Sequence, residues 1–354
     1  MRTKAAVSWG VGQPWSVEDV EVGEPRCGEV VVKLTAAGLC HSDHHLVTGR
    51  LPSADFPIRG GHEGAGVITA LGPGVETLAI GDHVVLSTIP SCGTCASCQA
   101  GQRNLCDHGT YPSSALGAFS PYAVVHGRSA VKIDPTIPLA LACLLSCAVL
   151  TGYGAATRSA GVRPGDDVAV IGLGGVGMSA IQGAALAGAR HVFAIDPAEW
   201  KRDTALTLGA THGYADTRSA MADIADVTRG LMATKVIVAV GDADGKDVDD
   251  WLILTAKGGA CVLAALGDLS ATDVTANLAI NILMQKRLQG CLLGGGNPHH
   301  DIPLLASMYA MGKLRLDEMV TREYRLDEIN DGFQDMLEGK LVRGIIRYGE
   351  RDWA

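Results

Sequence analysis

Three residues that are far apart in the sequence, Cys40, His62 and Cys147, could together form a zinc site with one open position. Polar side chains surround the first two of them, in residues 38–45 (GLCHSDHH) and 60–64 (GGHEG). Two thiolates and one imidazole leave the fourth corner of a tetrahedral zinc shell free for water or a substrate. Taken singly, each of the three is more simply interpreted as a buried core side chain. Their combination with polar neighbours favours a catalytic metal site.

A second metal site is indicated by the spacing C-x2-C-x2-C-x7-C, formed by Cys92, Cys95, Cys98 and Cys106. Four thiolates in so short a segment close a tetrahedral zinc shell, so this metal would be structural. A ferredoxin-type iron–sulfur motif would have its fourth cysteine after three residues and before a proline, and Cys106 meets neither condition. Disulfide pairing is the weaker alternative because we expect a cytoplasmic protein, in which thiols stay reduced.

Residues 172–177, GLGGVG, match the G-x-G-x-x-G pattern of a dinucleotide-binding turn between a buried strand and a helix. The N-terminus of such a helix faces the pyrophosphate. Asp196 ends the next apolar run, where an acidic residue accepts hydrogen bonds from the adenosine ribose. We therefore expect NAD rather than NADP, although Lys201 and Arg202 lie nearby and weaken this preference. The expected cofactor contacts within the turn are Gly172, Gly174, Gly175, Val176 and Gly177.

The elements around these motifs predict an α/β protein with two domains. Residues 4–86 contain short β-rich runs separated by Gly and Pro, which is typical of an all-β module. From about residue 152, buried-strand runs, the last of them at residues 290–294, alternate with helical stretches, which predicts a doubly wound parallel sheet.

The composition excludes several classes of function. The formal net charge is -9, with acidic and basic residues interspersed, which argues against a nucleic acid or a membrane as partner. The first residues lack the apolar core of a signal peptide. The longest apolar run, residues 139–150, is too short to span a bilayer. We expect a cytoplasmic enzyme that acts on a small molecule.

The motifs together resemble those of the zinc-dependent, medium-chain alcohol dehydrogenase family, in particular its actinobacterial members. The resemblance covers essentially the whole chain and rests on residues 38–43, 61–66, 92–106, 146–154 and 172–196. It implies a GroES-like β-rich catalytic domain at residues 1–149 and 293–354, and a Rossmann domain at residues 150–292. It further implies reversible oxidation of a primary or secondary alcohol with NAD, two zinc ions per chain, and a homodimer or homotetramer. Some actinobacterial relatives hold the nicotinamide tightly and reoxidise it in place, and the motifs do not distinguish the two modes.

The resemblance gives a role to each residue of the expected catalytic metal site, Cys40, His62 and Cys147 with their polar neighbours, which we call the first cluster. Cys40, His62 and Cys147 would hold the catalytic zinc. Asp43 would orient His62, and Glu63 would be a transient ligand or would contact the ligands. The third ligand is a cysteine rather than a carboxylate, which indicates the alcohol branch of the family more than the polyol branch.

The resemblance also implies a path for the alcohol proton, whose pKa zinc would lower. Ser42 would accept this proton, and His45 would release it to solvent after it has passed the nicotinamide ribose. The alternative is that Ser42 and His45 are only polar turn residues. His41 lies where many relatives use an arginine to bind the phosphates. The cofactor contacts expected outside the glycine turn are His41, Thr151, Asp196, Lys201 and Arg343.

The substrate pocket is expected to be open, because only residues 107–121 separate Cys106 from Tyr122, where several relatives carry a longer loop. A neighbouring subunit could cover the entrance. An apolar lining would suit an aliphatic, aromatic or terpenoid alcohol of moderate size. The expected lining residues are Leu46, Ile58, Leu86, Leu116 and Leu293.

Three other functions remain as alternatives. A thiol-adduct formaldehyde dehydrogenase would need a cationic anchor for the thiol's carboxylates, and the sequence offers no obvious cluster for it. A noncatalytic nucleotide-binding protein or quinone reductase of the same fold usually lacks the Cys–His–Cys set. A purely structural zinc protein would leave the glycine turn without a role.

Overall fold

The computed structural model describes residues 1–51, 56–109 and 116–353. The chain divides into two compact units, Met1–Cys147 with Gly296–Ala354, and Ala148–Gly295. The first unit thus ends two residues before the expected boundary at 149, and the tail rejoins it three residues after the expected 293.

The strands alternate with helices mainly in the second unit, as the sequence predicts. The strands are β1 (Arg2–Ser8), β2 (Ser16–Glu21), β3 (Glu29–Gly38), β4 (Ile58–Arg59), β5 (Glu63–Leu71), β6 (His83–Leu86), β7 (Tyr122–His126), β8 (Ala130–Lys132), β9 (Asp167–Ile171), β10 (His191–Ile195), β11 (His212–Tyr214), β12 (Ala233–Val238), β13 (Thr255–Leu263), β14 (Arg287–Gly290), β15 (Val320–Tyr324) and β16 (Arg343–Arg347). The α-helices are α1 (His41–Val47), α2 (Ala96–Gln99), α3 (Leu139–Ala142), α4 (Ala148–Gly154), α5 (Gly175–Leu186), α6 (Glu199–Thr207), α7 (Thr217–Val227), α8 (Val248–Leu254), α9 (Leu278–Leu283), α10 (Pro298–Ala310) and α11 (Ile329–Leu337).

The first unit is built on a seven-stranded sheet with the order β15-β16-β3-β5-β6-β8, in which β7 also pairs with β3. The long strand β3 is rich in valine, which suits a pleated and largely buried position. Its pairings with β5, β7 and β16 are antiparallel. The strands enclose an apolar core that includes Trp15, Phe119 and Phe333, whose rings stack or meet edge to face. The predicted β-rich module is therefore present in this unit.

The second unit is a six-stranded parallel sheet with the order β11-β10-β9-β12-β13-β14. Every residue of β9 is buried, which explains why residues 167–171 form a nearly continuous apolar run. From β9 the chain adds β10 and β11 on one side and then β12, β13 and β14 on the other, as in a doubly wound sheet. The carboxyl end of β9 and the start of α5 therefore define the nucleotide-binding edge.

No single helix of the described part of the chain is long and apolar enough to cross a membrane. The segments Leu139–Ser146 and Ala148–Ser159 meet that criterion only when taken together as a bent pair.

Candidate metal centres and nucleotide-binding turn

The first cluster is assembled where β3 ends and β5 begins. Gly38, the last residue of β3, pairs directly with Glu63, the first residue of β5. Cys40 follows β3 and precedes the first turn of α1, so the neighbouring strands bring it beside His62. Cys147 arrives from the short helical segment that ends at Ser146.

Ser146 fixes the position of this last ligand. Its buried hydroxyl lies 3.0 Å from the carbonyl oxygen of His62 and also contacts the carbonyl oxygen of Leu86. The segment that carries Cys147 is therefore tied to the backbone at His62 and Leu86, a role for Ser146 that the motifs alone do not reveal.

The geometry of the cluster fits one metal ion. Donor atoms of Cys40, His62, Glu63 and Cys147 all lie within 4.8 Å of one another. Bonds from zinc to sulfur or nitrogen are about 2.0–2.3 Å long, so one ion can reach such a set. The expected catalytic ligands are thus brought together, with Glu63 as an additional neighbour.

Asp43 lies beside the imidazole of His62, where the resemblance places a residue that orients the ring. Its Oδ2 lies 3.0 Å from Nδ1 of His62, and its Oδ1 accepts a hydrogen bond of 3.1 Å from the backbone N–H of Gly61. Nε2 of the ring is left for the metal, which is the arrangement usual for a zinc-binding histidine.

The donor set is electron-rich. Hydrogen bonding from Cys147 is the main reason that the pKa of Cys40 is well below its ordinary value, and the same contact raises the pKa of Cys147. Burial lowers the pKa of His62, but the charges of Asp43 and Cys40 outweigh burial and the pKa is raised. Two sulfurs and a basic imidazole are the chemistry that zinc prefers.

Glu63 forms a buried ion pair with Arg343, the first residue of β16. Burial raises the pKa of Glu63 to about 7, against the opposing attraction of Arg343. Its second oxygen, Oε1, is buried and has no hydrogen-bond partner among the described residues. An unpaired buried carboxylate oxygen beside two thiols and an imidazole fits a cation at this position.

The four-cysteine cluster is confined to one lobe of the first unit. The sulfurs of Cys92, Cys95, Cys98 and Cys106 lie within 4.8 Å of one another, and two of the sulfur pairs are 3.9 Å apart. Backbone N–H groups of Thr94 and Cys95 point to the sulfur of Cys92 at 3.4 and 3.3 Å. Hydrogen bonding from Thr94 lowers the pKa of Cys92 to about 5, so a thiolate is favoured. This is a closed set of four sulfur ligands.

The glycine turn has the geometry that its sequence predicts. Gly172 has a φ of +89°, and a Cβ there would lie 2.7 Å from the carbonyl oxygen of Ala239. A Cβ at Gly177 would lie 1.8 Å from the carbonyl oxygen of Gly172. Around Gly174, at the start of α5, there is open space instead. The turn therefore offers exposed backbone at a helix N-terminus, as a pyrophosphate site requires.

Asp196 lies beside this turn. Its carboxylate oxygens accept hydrogen bonds of 2.9 Å from the backbone N–H groups of Leu173 and Ala198. A carboxylate has about four acceptor positions, so two remain for ribose hydroxyls. Arg202 is held away from the carboxylate by hydrogen bonds of 2.8 and 2.9 Å to the carbonyl oxygens of Asp196 and Pro197.

Two further expected cofactor contacts lie in the same unit. Lys201 is buried, which lowers its pKa, while the charge of Asp196 acts in the opposite direction. Thr151 is buried in α4. Neither position tests the expected contacts, which stay predictions.

The residues of α1 lie close to the first cluster. Ser42 Oγ is 3.7 Å from the sulfur of Cys40. His45 is buried, and its ring centre lies 6.5 Å from that of His41. Burial is the main reason that the pKa of His41 is lowered to about 4. A neutral His41 would bind a phosphate more weakly than a charged arginine would.

The pocket residues and Arg343 lie in less accessible positions than the sequence suggested. Arg343 is 6% exposed and its guanidinium faces Glu63, so a contact with the pyrophosphate stays a prediction. Leu86 belongs to the apolar core of the first unit, and Leu116 packs against that core. Leu46 and Ile58 are also buried in this unit, whereas Leu293 is buried in the second unit. The expected lining of the pocket therefore also stays a prediction.

The Glu63–Arg343 pair was not foreseen from the sequence. One feature of the sequence does indicate such a pair. Glu63 begins the otherwise small and apolar segment EGAGVI, and a carboxylate buried in such a strand needs a cationic partner. The arginine that begins the apolar run 343–346 was the corresponding candidate.

The fold and the two metal centres define a zinc-binding dehydrogenase, and the family comparisons agree. Residues 26–135 match the alcohol dehydrogenase GroES-like domain, and residues 175–310 match the zinc-binding dehydrogenase domain. The chain belongs to the zinc-dependent, medium-chain alcohol dehydrogenase family. This confirms the expected fold, a GroES-like domain with a Rossmann domain, and the expected alcohol dehydrogenase activity with zinc and a nucleotide cofactor.

Comparison with individual proteins shows which members of the family the chain is similar to. It is 59% identical to alcohol dehydrogenase B of Mycobacterium tuberculosis, across 99% of this chain and 100% of that protein. It is 43% identical to the NDMA-dependent alcohol dehydrogenase of Amycolatopsis methanolica, across 98% and 99% of the two chains. The crystal structure of benzyl alcohol dehydrogenase from Acinetobacter calcoaceticus has a TM-score of 0.90 at 29% identity, across 99% and 100%. The actinobacterial affinity expected from the sequence is thereby confirmed.

Proposed function

We propose that the protein oxidises a primary or secondary alcohol reversibly to the aldehyde or ketone, with NAD as hydride acceptor. The observation that carries this proposal is the donor set of Cys40, His62 and Cys147, with Asp43 on the far side of the imidazole. A set with three protein ligands leaves one position for the substrate oxygen.

The metal and the cofactor would supply the Lewis acid for the alcohol oxygen and the acceptor for the hydride. The chain's own residues would handle the proton. Ser42 lies beside the donor set, 3.7 Å from the sulfur of Cys40, and would accept the alcohol proton while it gives up its own hydroxyl proton toward His45. His45 is three residues further along the same helix and releases the proton, because histidine titrates near physiological pH.

The choice of NAD rests on the second unit. Asp196 holds its carboxylate beside the glycine turn, where it would accept from ribose hydroxyls and repel a 2′-phosphate. Arg202, one of the two nearby cations that could offset this repulsion, already donates to two backbone carbonyls. Asp196→Ala is expected to raise the KM for NAD and to reduce discrimination against NADP. An unchanged preference would remove Asp196 as the determinant.

The tightly bound form of the cofactor is a second possibility, supported by the similarity to a relative that is named NDMA-dependent. It is tested by extensive dialysis of the purified protein and analysis of the nucleotide that remains. If alcohol oxidation then requires NDMA rather than added NAD, the cofactor is retained. If added NAD restores full turnover, it exchanges.

We also propose that the protein forms a homodimer or a higher homo-oligomer through the outer edge of the second unit. β14 ends the six-stranded sheet, and the adjoining helix α9 exposes Leu278, Ile282 and Leu283. An edge strand with an apolar neighbour is prone to pair with another strand, and a two-fold axis would pair it with its own copy.

The activity is tested with the purified full chain, NAD and a panel of aliphatic, aromatic and terpenoid alcohols. Cys40→Ser should abolish NAD reduction. Cys27→Ser, a change at an exposed cysteine outside both clusters, should leave it intact. A hydroxymethyl thiol in the same panel separates alcohol oxidation from thiol-adduct formaldehyde oxidation. Full activity in Cys40→Ser would contradict the proposal.

A further inference from the structure

A slot at the end of β3 determines where the Glu63 carboxylate can lie. Gly38 pairs with Glu63 on one side and with Ile345 of β16 on the other. A Cβ at Gly38 would lie 2.0 Å from Oε2 of Glu63 and 3.0 Å from Nη2 of Arg343. Carbon and oxygen atoms in contact are usually separated by about 3.5 Å. The buried ion pair therefore occupies the volume that any other residue would fill at this position.

The backbone around Gly38 is held on both sides. β3 is hydrogen-bonded to β5 and to β16, and the N–H of the next residue, Leu39, donates to the carbonyl oxygen of Gly344 at 3.0 Å. A larger residue at position 38 would therefore displace a side chain more readily than a strand. The closest atom belongs to Glu63, so its carboxylate would have to move away from Arg343.

Such a movement would reach the metal centre. A carboxylate oxygen of Glu63 lies within 4.8 Å of the donor atoms of Cys40, His62 and Cys147. One oxygen of the carboxylate binds Arg343, and the other, Oε1, has no hydrogen-bond partner in the described part of the chain. The position of that charge beside the donor set thus depends on the space left by the glycine.

We propose that Gly38 is a positioning residue of the catalytic metal centre. Its missing Cβ allows the Glu63 carboxylate to bind Arg343 through Oε2 while it stays beside the Cys–His–Cys set. This inference rests on the proposed function, because it takes that set as the catalytic zinc site. It adds a residue that touches neither the metal nor the substrate but determines the charge that the metal meets.

The test compares Gly38→Ala with the wild-type full chain after cobalt has replaced the catalytic zinc. Cobalt absorption in the visible range reports the geometry of the ligands directly. The cobalt spectrum is expected to change, and metal affinity of the Cys40 site is expected to fall about ten- to hundredfold, as for other residues that support metal ligands. The four-cysteine site should keep its metal. The matched control is Gly23→Ala in the same unit, where a Cβ meets no atom within 4 Å.

A second substitution distinguishes positioning from general packing. In the double variant Gly38→Ala/Glu63→Asp, the carboxylate is shortened by one methylene and no longer reaches the new Cβ. Gly38→Ala should therefore lower metal affinity much less when Glu63→Asp is already present than it does in the wild-type protein. If Gly38→Ala does not fold, recovery of a folded protein by Glu63→Asp supports the same clash.

Two results would overturn the inference. A wild-type cobalt spectrum and affinity in Gly38→Ala would show that the glycine does not position Glu63. If Gly38→Ala lowers metal affinity equally with and without Glu63→Asp, the effect comes from strand packing. The same holds if neither Gly38→Ala nor Gly38→Ala/Glu63→Asp folds. If the wild-type protein itself binds no metal at Cys40 and reduces no NAD, the proposed function fails along with the inference, and this is seen before any variant is made.

Discussion

The carboxylate of Asp43 faces two donors at once, and asparagine could not accept from both. One oxygen of Asp43 receives the N–H of Gly61 at 3.1 Å, and the other lies 3.0 Å from Nδ1 of His62. Asparagine has nearly the same volume but only one acceptor oxygen. In either orientation of the amide, its NH2 group would face one of the two donors.

The magnitude follows from that single mismatch. Both side chains are buried, with 7% of the His62 side chain and 1% of the Asp43 side chain exposed, so water cannot replace the lost partner. A buried donor without an acceptor costs about 1–3 kcal/mol. If the ring turns to avoid the amide, Nε2 is misaligned and metal affinity falls about ten- to hundredfold.

The assay is zinc competition with a chelator of known affinity, performed on Asp43→Asn and on the wild-type protein. The four-cysteine site serves as an internal reference, because the substitution does not touch it. Asp82→Asn is the control variant, since Asp82 also joins a backbone N–H and a side chain, those of Ala79 and Lys132. Equal affinity of Asp43→Asn and wild-type protein at the catalytic site would refute the reasoning.

Three further predictions concern other parts of the molecule. Burial raises the pKa of Asp167, but hydrogen bonds and charges from Arg190 and His191 outweigh burial, so the pKa in the folded protein is lowered. The carboxylate therefore stabilises the fold at pH values above about 3.9, its pKa in the unfolded chain. Asp167→Asn should therefore be less stable than wild type in urea at pH 7, and the difference should shrink as the solution is acidified; a constant difference would contradict this. Cys95→Ser should lose one zinc per chain and melt at a lower temperature, because three thiolates no longer close the shell; an unchanged melting temperature would be inconsistent with a structural metal. Leu283→Glu should halve the molar mass measured by light scattering, because a dimer would separate into single chains and a tetramer into dimers; an unchanged oligomer would exclude the α9 surface as its interface.

The sequence predicts local features of this protein well. The four cysteines of the lobe lie within fifteen residues, so their spacing alone brings the sulfurs together, as the structure has them. The glycine turn and Asp196 are similarly local, since a strand, a turn, a helix and a strand follow one another without interruption. In both places the chemistry depends on residues that are close in the chain.

The first cluster required more than spacing. Cys40 and His62 meet because β3 and β5 pair antiparallel with Gly38 opposite Glu63, a register that the residue types do not specify. The family resemblance supplied it instead. Arg343 lies 280 residues after its partner Glu63, and no local pattern links the two.

One strand prediction was wrong. The apolar run at residues 290–294 predicts a strand, but β14 ends at Gly290. Leu293, Gly294 and Gly295 have φ values of +45°, +71° and +66°, which no strand accommodates. A Cβ at Gly294 would also meet the carbonyl oxygen of Leu150 at 2.3 Å, so close backbone packing rather than sheet pairing determines this segment.

We expect Cys40, His62 and Cys147 to hold the metal on which alcohol oxidation depends, separately from the four-cysteine lobe. This expectation is tested most directly by measuring zinc content by mass spectrometry together with alcohol-dependent NAD reduction, in wild-type protein and in Cys147→Ser. The expected result is two zinc ions per wild-type chain, one for each cluster, and one zinc with no turnover in a folded Cys147→Ser variant. A Cys147→Ser variant that keeps both zinc ions and oxidises alcohols at the wild-type rate would contradict it.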